Sequence, residues 1–399
     1  MADAPQQALF RPGRIARVET RNRFIRSATS ECMADTDGFI TPAYRDLHLT
    51  LARAGVGLQF TGHIYVHPRG RYTPDMTGLS RDEHTEPFKS LTAEVRAEGS
   101  RFFAQLNHAG SQSRDPAVDP VAPSIIPNAQ HGRTPKEATE EEIAVIIDAF
   151  GQAAGRVREA GFDGVHLHAG HGYLLTQFSS PYSNRREDRW GGSLENRQRL
   201  LLEVVRAMRK AVGDGFPLTV KLGMRDFVPG GLTLEEGLET AARLEALGVD
   251  AIEVTAGLTS RRMESAAQYV GLSRRRALED KLLHRVFAAP KPEVLFLEEA
   301  RRLREAVHCP IILVGGLRTV ERMESIVAEG VADFISLARP LIREPDLVRQ
   351  IERRRRGAVA CTSCNICIQH EGFHTLRCWR KNNRDLLLHA WHRFSGRLH

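Results

Sequence analysis

The chain has 399 residues, 42% hydrophobic and 26% charged, which suits one large core with extensions better than two equal domains. Its 56 Lys and Arg exceed its 49 Asp and Glu for a net charge of +7, but the cations are scattered among acids and no nucleic-acid motif accompanies them, so no nucleic-acid partner is expected. No run approaches the ~18 apolar residues that span a bilayer, and the opening MADAPQQALF lacks a basic stretch followed by an apolar core, so the expectation is a cytoplasmic protein with no membrane partner.

Along the chain, short apolar, β-branched runs occur at 24–29, 56–66, 101–106, 164–168, 218–222, 251–255, 310–314 and 333–338. Between them lie stretches with apolar residues three and four apart, such as 141–160, 195–212, 234–247 and 319–329, which predict helices. Thr139 and Thr233 are each followed by carboxylates in the first helical turn, where the helix dipole favours them. Gly161 and Gly248 stand where left-handed C-caps would end a helix before the next strand. Eight strand–helix alternations allow a closed barrel or an open doubly wound sheet. An open dinucleotide fold would carry G-x-G-x-x-G at its first strand–helix junction, and none is found. The expected class is therefore α/β, a (β/α)8 TIM barrel with loop insertions and a cysteine-containing C-terminal extension.

Two stretches interrupt the repeat: a Pro-rich polar loop at 111–138 and a basic insertion at 257–296 that includes Arg261, Arg262 and Arg274 to Arg276. Loops this long are usually functional or disordered, and these would overhang the barrel mouth. Residues 1–356 are expected to form the barrel and 357–399 an extension packed on it. Arg353 to Arg356 read as a solvated patch at a helix C-terminus or, alternatively, as a phosphate-binding patch. The tail beyond Cys378, with Leu386 to Leu388, Trp391 and Phe394, reads as a packing or homo-oligomer arm.

The most informative segment runs from Gly164 to Leu175 and holds His168, His171 and Tyr173. A strand ends and three polar rings follow within six residues. Two imidazoles three apart can converge on one carbonyl oxygen as donors, and a tyrosine two residues on can deliver a proton to the adjacent carbon. The same spacing also suits a metal pair or satisfied core histidines.

In order with other motifs, this segment resembles the old yellow enzyme family of FMN-dependent ene-reductases. The resemblance runs from about Leu9 to Leu347. It is carried by Asn22 to Ile25, by Gln105 to Gly110 and by the histidine–tyrosine segment. Ser180-Pro181, Asn184 to Arg186, Gly191 to Arg197, Phe227 to Gly231, Gly315-Gly316 and Ala338 to Leu341 follow. The resemblance implies that Gln105 bonds the flavin pyrimidine edge and that Lys221 places a cation near N1 and O2, where relatives commonly have Arg. It implies a phosphate site at Gly315, Gly316, Ala338 and Arg339. Ser27, Ala28, Thr29 and Ser30 would line the flavin, with Ala28 where the family usually has Pro, and His63 would sit beside it. His168 and His171 would bind a substrate carbonyl and Tyr173 would protonate the α-carbon. The implied activity is reduction of the activated C=C bond of a small-molecule α,β-unsaturated carbonyl with electrons from NAD(P)H through FMN. The many arginines lean toward NADPH.

Cys361, Cys364, Cys367 and Cys378 crowd into eighteen residues, a spacing for a four-thiolate site. The run resembles that of trimethylamine dehydrogenase and dienoyl-CoA reductase, relatives with a four-iron cluster after the barrel, though the last gap is slightly short. Three readings stand: a [4Fe–4S] cluster, structural zinc, or reduced cysteines without metal. The run also supports a rival activity, an amine dehydrogenase or demethylase passing electrons through an iron–sulfur cluster. A non-catalytic flavin-binding partner protein is the alternative of another class.

Overall fold

Eight parallel strands close on themselves in a computed structural model that describes residues 8–128, 132–258 and 293–395. They are β1 (Phe24–Arg26), β2 (Leu58–Tyr65), β3 (Arg101–Asn107), β4 (Gly164–Ala169), β5 (Leu218–Gly223), β6 (Ala251–Thr255), β7 (Ile311–Val314) and β8 (Phe334–Leu337). Each pairs in parallel with its neighbours in chain order, and β8 returns to β1. Each of the eight expected runs overlaps one of these strands, and the α/β barrel expected from their number is what forms. Helices clothe the outside: α1 (Pro42–Arg53), α2 (Glu86–Ala97), α3 (Glu140–Glu159), α4 (Leu194–Val212), α5 (Leu234–Ala246), α6 (Leu297–Ala306), α7 (Val320–Ala328) and α8 (Leu347–Glu352).

The helix ends follow the expected chemistry. Thr139 and Thr233 form reciprocal capping boxes with Glu142 and Glu236, satisfying N–H groups that α3 and α5 would otherwise leave bare. Gly161 and Gly248 adopt φ of 80° and 81° just past the ends of α3 and α5, a conformation that costs glycine little.

Side-chain alternation builds the barrel interior in layers. Near the strand starts, Ile25, Leu58, Phe60, Phe103, Ala251, Ile312 and Phe334 pack as one apolar cluster. Ile15, from the antiparallel pair Gly13–Ile15 and Val18–Thr20, joins that cluster at the barrel floor. Two residues further along the same faces the interior turns polar, with Ser27, Gln105, His166, Lys221, Glu253 and Ser336 all buried. The outer faces bury a larger core against the helices, including Phe102, Phe150, Leu201, Val220 and Ile335.

Beyond α8 the chain crosses the C-terminal mouth of the barrel. Leu376 N–H donates to Glu31 O at 2.9 Å, Gly372 N–H to Cys32 Sγ at 3.2 Å, and Arg114 Nη1 to Glu371 O at 3.0 Å. A last helix, Asn383–Phe394, exposes Leu387, Trp391 and Phe394. In the 111–138 loop, Val121–Ala122 pairs in parallel with Lys136–Glu137, and Arg133 donates to the carbonyls of Ser113, Asp115 and Val118. Most of the basic insertion expected at 257–296, with Arg261, Arg262 and Arg274 to Arg276, lies outside the described residues. Among the described residues no helix is long and apolar enough to cross a membrane.

Two helical glycines should respond oppositely to Ala. A Cβ at Gly237 in α5 would stand 1.9 Å from Met224 O, so Gly237→Ala is expected to destabilise by roughly 1–3 kcal/mol despite its better helix propensity. Gly155 in α3 has nothing within 4 Å of that position, so Gly155→Ala should stabilise by about 0.5–1 kcal/mol. Urea unfolding of the two variants checks both signs.

Candidate active site

Each strand delivers its last residues to the C-terminal end of the barrel, where a cavity of about 1330 Å³, including its open mouth, lies beneath the crossing C-terminal segment. All the flavin-lining and catalytic candidates named from the sequence line it, whereas Arg353 to Arg356 do not. Ser27, Ala28, Thr29 and Ser30 follow β1, His63 lies on β2, Gln105 on β3 and Lys221 on β5. Gly315 and Gly316 follow β7, and Ala338 and Arg339 follow β8. His168 is next to last on β4, paired in register with Lys221 on the neighbouring strand, and the turn after β4 carries His171 and Tyr173.

That turn is unusual in its backbone. His171 has φ of 57°, sparsely populated for a non-glycine residue, followed by Gly172 at 72°. The conformation is held by His171 N–H donating to Ala256 O at 2.9 Å and by a 2.7 Å bond between His171 Nε2 and Thr255 Oγ1. As a result the His168 and His171 rings lie 5.1 Å apart and the His168 and Tyr173 rings 5.0 Å apart, centroid to centroid. His63 and Tyr72 close the other side, 5.2 and 5.8 Å from the Tyr173 ring.

Burial decides the protonation states. It pulls His63 down to about 4 and, with Lys221 adding to it, His171 to about 3; His168 falls well below the ordinary imidazole range for the same first reason. Burial pushes the Tyr173 phenol well above its usual range. At neutral pH the site thus presents neutral imidazoles, each with one N–H to donate, and a protonated phenol.

Below the cavity, Lys221 Nζ lies 3.0 Å from Glu253 Oε2 and donates to Ser27 Oγ at 3.0 Å. Burial alone would raise the Glu253 carboxyl, but Lys221 and His166 hold it well below the usual carboxylate range.

The residues present fit FMN. Gln105 Nε2, His63 Nε2 and His168 Nδ1 are buried without a partner of their own, which is costly unless a ligand supplies one. Lys221 offers a buried cation at the cavity wall. Gly315 and Gly316, which take φ of 100° and 70°, line the same cavity as the guanidinium-bearing Arg318 and Arg339. Arg339 Nη1 also bonds Asn365 Oδ1 of the C-terminal segment.

The four clustered cysteines, all free thiols, line a neighbouring pocket with Arg339 and Arg343. Cys367 faces both this pocket and the main cavity. Burial raises Cys361, and pushes Cys367 up to about 12. Four thiols suit a metal cluster chemically. Among the described residues no group of three or more His, Cys, Asp or Glu meets the geometry of a metal site.

Residues 8–357 match the sequence profile of the NADH:flavin oxidoreductase / NADH oxidase family. The chain belongs to that family. It is 35% identical over 349 residues to an NADPH dehydrogenase of Bacillus velezensis, covering 87% of this chain and 94% of that one. It is 36% identical over 375 residues to an NADH oxidase of Thermoanaerobacter brockii, covering 92% of this chain and 54% of the relative. A 2-naphthoyl-CoA reductase solved with 2-naphthoyl-CoA superposes with a TM-score of 0.81 at 28% identity, covering 95% of this chain and 57% of that one. The chain thus spans little more than half the length of two of these three proteins. The old yellow enzyme resemblance is borne out in family and fold.

Several cavity residues were not picked out in the sequence. Thr255 ends β6 and could have been found by its strand-end position. Tyr72, Gln112, Glu371 and His374 come from loops or from the C-terminal segment, where no periodicity signals which side chains turn inward.

The depressed His63 has a consequence for stability. The neutral ring is what the fold accommodates, so its contribution is present above the unfolded value of 6.5 and is lost as pH falls toward about 4, where the folded ring finally protonates. His63→Gln should flatten the fall in unfolding free energy over that window by up to about 1.4 kcal/mol per pH unit. Parallel denaturant titrations of the two flavin-free proteins measure it, and identical slopes would refute it.

Proposed function

We propose that the protein is an FMN-dependent NAD(P)H oxidoreductase that reduces the activated C=C bond of an α,β-unsaturated carbonyl compound. The observation that carries this reading is the convergence of His168, His171 and Tyr173 on one cavity that Lys221, Gln105, Gly315 and Gly316 also line. When bound, FMN accepts a hydride from the nicotinamide and passes one to the β-carbon of the substrate.

The chain's own residues do the rest. His168 and His171, held neutral by burial, donate to the substrate carbonyl oxygen and favour negative charge building there. The Thr255 bond fixes the ring of His171 for that task. Tyr173, whose burial keeps it protonated, delivers its proton to the α-carbon. The same burial disfavours the phenolate left behind, so the phenol regains a proton readily. The C-terminal segment covers the mouth and limits water.

A second reading, oxidation of an amine with electrons leaving through a C-terminal cluster, draws on one specific observation. That segment places the Glu371 carboxyl, which burial raises to about 7, in the same cavity as a candidate partner for an ammonium group. The neighbouring cysteine pocket would then hold the cluster. Iron and zinc analysis of anaerobically purified protein bears on it: bound iron supports the cluster, and neither metal rules out both metal readings.

Tyr173→Phe tests the first reading. Bleaching of the flavin by NADPH should stay nearly unchanged, while its reoxidation by an enone slows by roughly 10²–10⁴-fold. Stopped-flow absorbance separates the two half-reactions, and unaltered reoxidation removes Tyr173 as the proton donor.

A further inference from the structure

Glu253 stands in the middle of β6 with no solvent exposure, a charged residue in the otherwise uncharged run Ala251 to Thr255. Four other strands send it partners. Oε2 lies 3.0 Å from Lys221 Nζ on β5 and 3.2 Å from His166 Nε2 on β4. Oε1 accepts from Ser336 Oγ on β8 at 2.6 Å and, at 2.9 Å, from Ser27 Oγ in the residue after β1. His166 is itself fixed, by a 2.8 Å bond between Nδ1 and Thr219 Oγ1 and by stacking on Phe60 at 3.9 Å.

Lys221, Ser27 and Ser336 line the cavity, whereas Glu253 does not. The carboxylate therefore lies behind the ammonium as seen from the ligand. Two of the three ammonium donors are engaged, by Glu253 and Ser27, which leaves one for the cavity. A lone ammonium at the cavity wall would act on a ligand as a full positive charge. An ammonium backed by a carboxylate 3.0 Å away acts as a dipole with its positive end forward, a weaker field that falls off faster.

We propose that Glu253 is a positioning residue that holds down the reduction potential of the flavin, by fixing Lys221 Nζ at the cavity wall and cancelling part of its charge. The inference rests on the reading that FMN lies with its pyrimidine edge against Lys221. Reduction adds negative charge to that edge, so the full charge of Lys221 would stabilise reduced flavin more than the paired charge does. Glu253 thus keeps reduced FMN a stronger hydride donor toward the alkene, at the expense of a less favourable reduction by NAD(P)H. No bond is made or broken at Glu253.

Spectroelectrochemical titration of the FMN-bound protein near neutral pH tests this, with the wild type beside Glu253→Gln, Glu253→Asp and Lys221→Met. Glu253→Gln should raise the midpoint potential and favour binding of reduced over oxidised FMN by on the order of tenfold to a hundredfold more than the wild type. Glu253→Asp, which keeps the charge but withdraws it by one methylene, should give a smaller rise. Lys221→Met should lower the potential. An unchanged or lowered potential in Glu253→Gln, with Lys221→Met still lowering it, overturns the role of Glu253. If Lys221→Met leaves the potential unchanged, the placement of FMN fails instead. Should Glu253→Gln not fold, Glu253→Asp decides: a rise supports the proposal, and no rise overturns it.

Discussion

A lysine and a glutamate face each other 3.0 Å apart in the barrel interior, with at most 3% of either side chain exposed, and much of the architecture around them follows from that pairing. Two charges taken from water cost several kcal/mol each unless geometry and further hydrogen bonds repay it, and losing one partner of such a pair typically costs 3–5 kcal/mol. The repayment here comes from Ser27, just after β1, Ser336 on β8 and His166 on β4. Those strands must keep their register for the network to close, so the polar layer helps to specify the barrel as well as to equip it. The apolar layer beneath, with Phe60 stacked on His166, keeps water from reaching the pair from the floor.

The chemistry at the mouth is built on that layer. Lys221 pulls the nearby imidazoles further toward neutrality after burial has already moved them, so His168 and His171 are donors rather than cations at physiological pH. On the proposed reading, neutral donors beside a buried cation would receive negative charge as the reaction proceeds without carrying a large excess of positive charge beforehand. The left-handed turn at His171 and Gly172 sets the ring spacing, and its strain is supported by bonds to β6.

The barrel was legible because its signals are local and repeated. Eight apolar runs, the Thr139 and Thr233 capping boxes and the glycines at 161 and 248 each act within a few residues. The strand-end positions of Ser27, Gln105, His168, Lys221 and Gly315 were legible for the same reason, since a parallel barrel brings every strand end to one face. Glu253 and His166 offered a signal too, being polar side chains on the inner faces of apolar strands, but spacing alone cannot say that they meet across β5. Tyr72 and Glu371 gave none, because the loops that carry them are placed by long-range contacts such as Arg114 to Glu371 O. The cysteine spacing was plain, yet spacing alone does not fix whether four thiols close around a metal; the fold adds only that the four share one pocket.

What remains most exposed to test is the direction of electron flow through the cavity. Anaerobic mixing of the flavin-bound protein with NADPH, then with an enone, and separately with a methylamine, measures it. The account predicts that NADPH bleaches the flavin, that the enone restores its colour in stoichiometric amount, and that the amine does neither. Bleaching by the amine with no response to NADPH would contradict it.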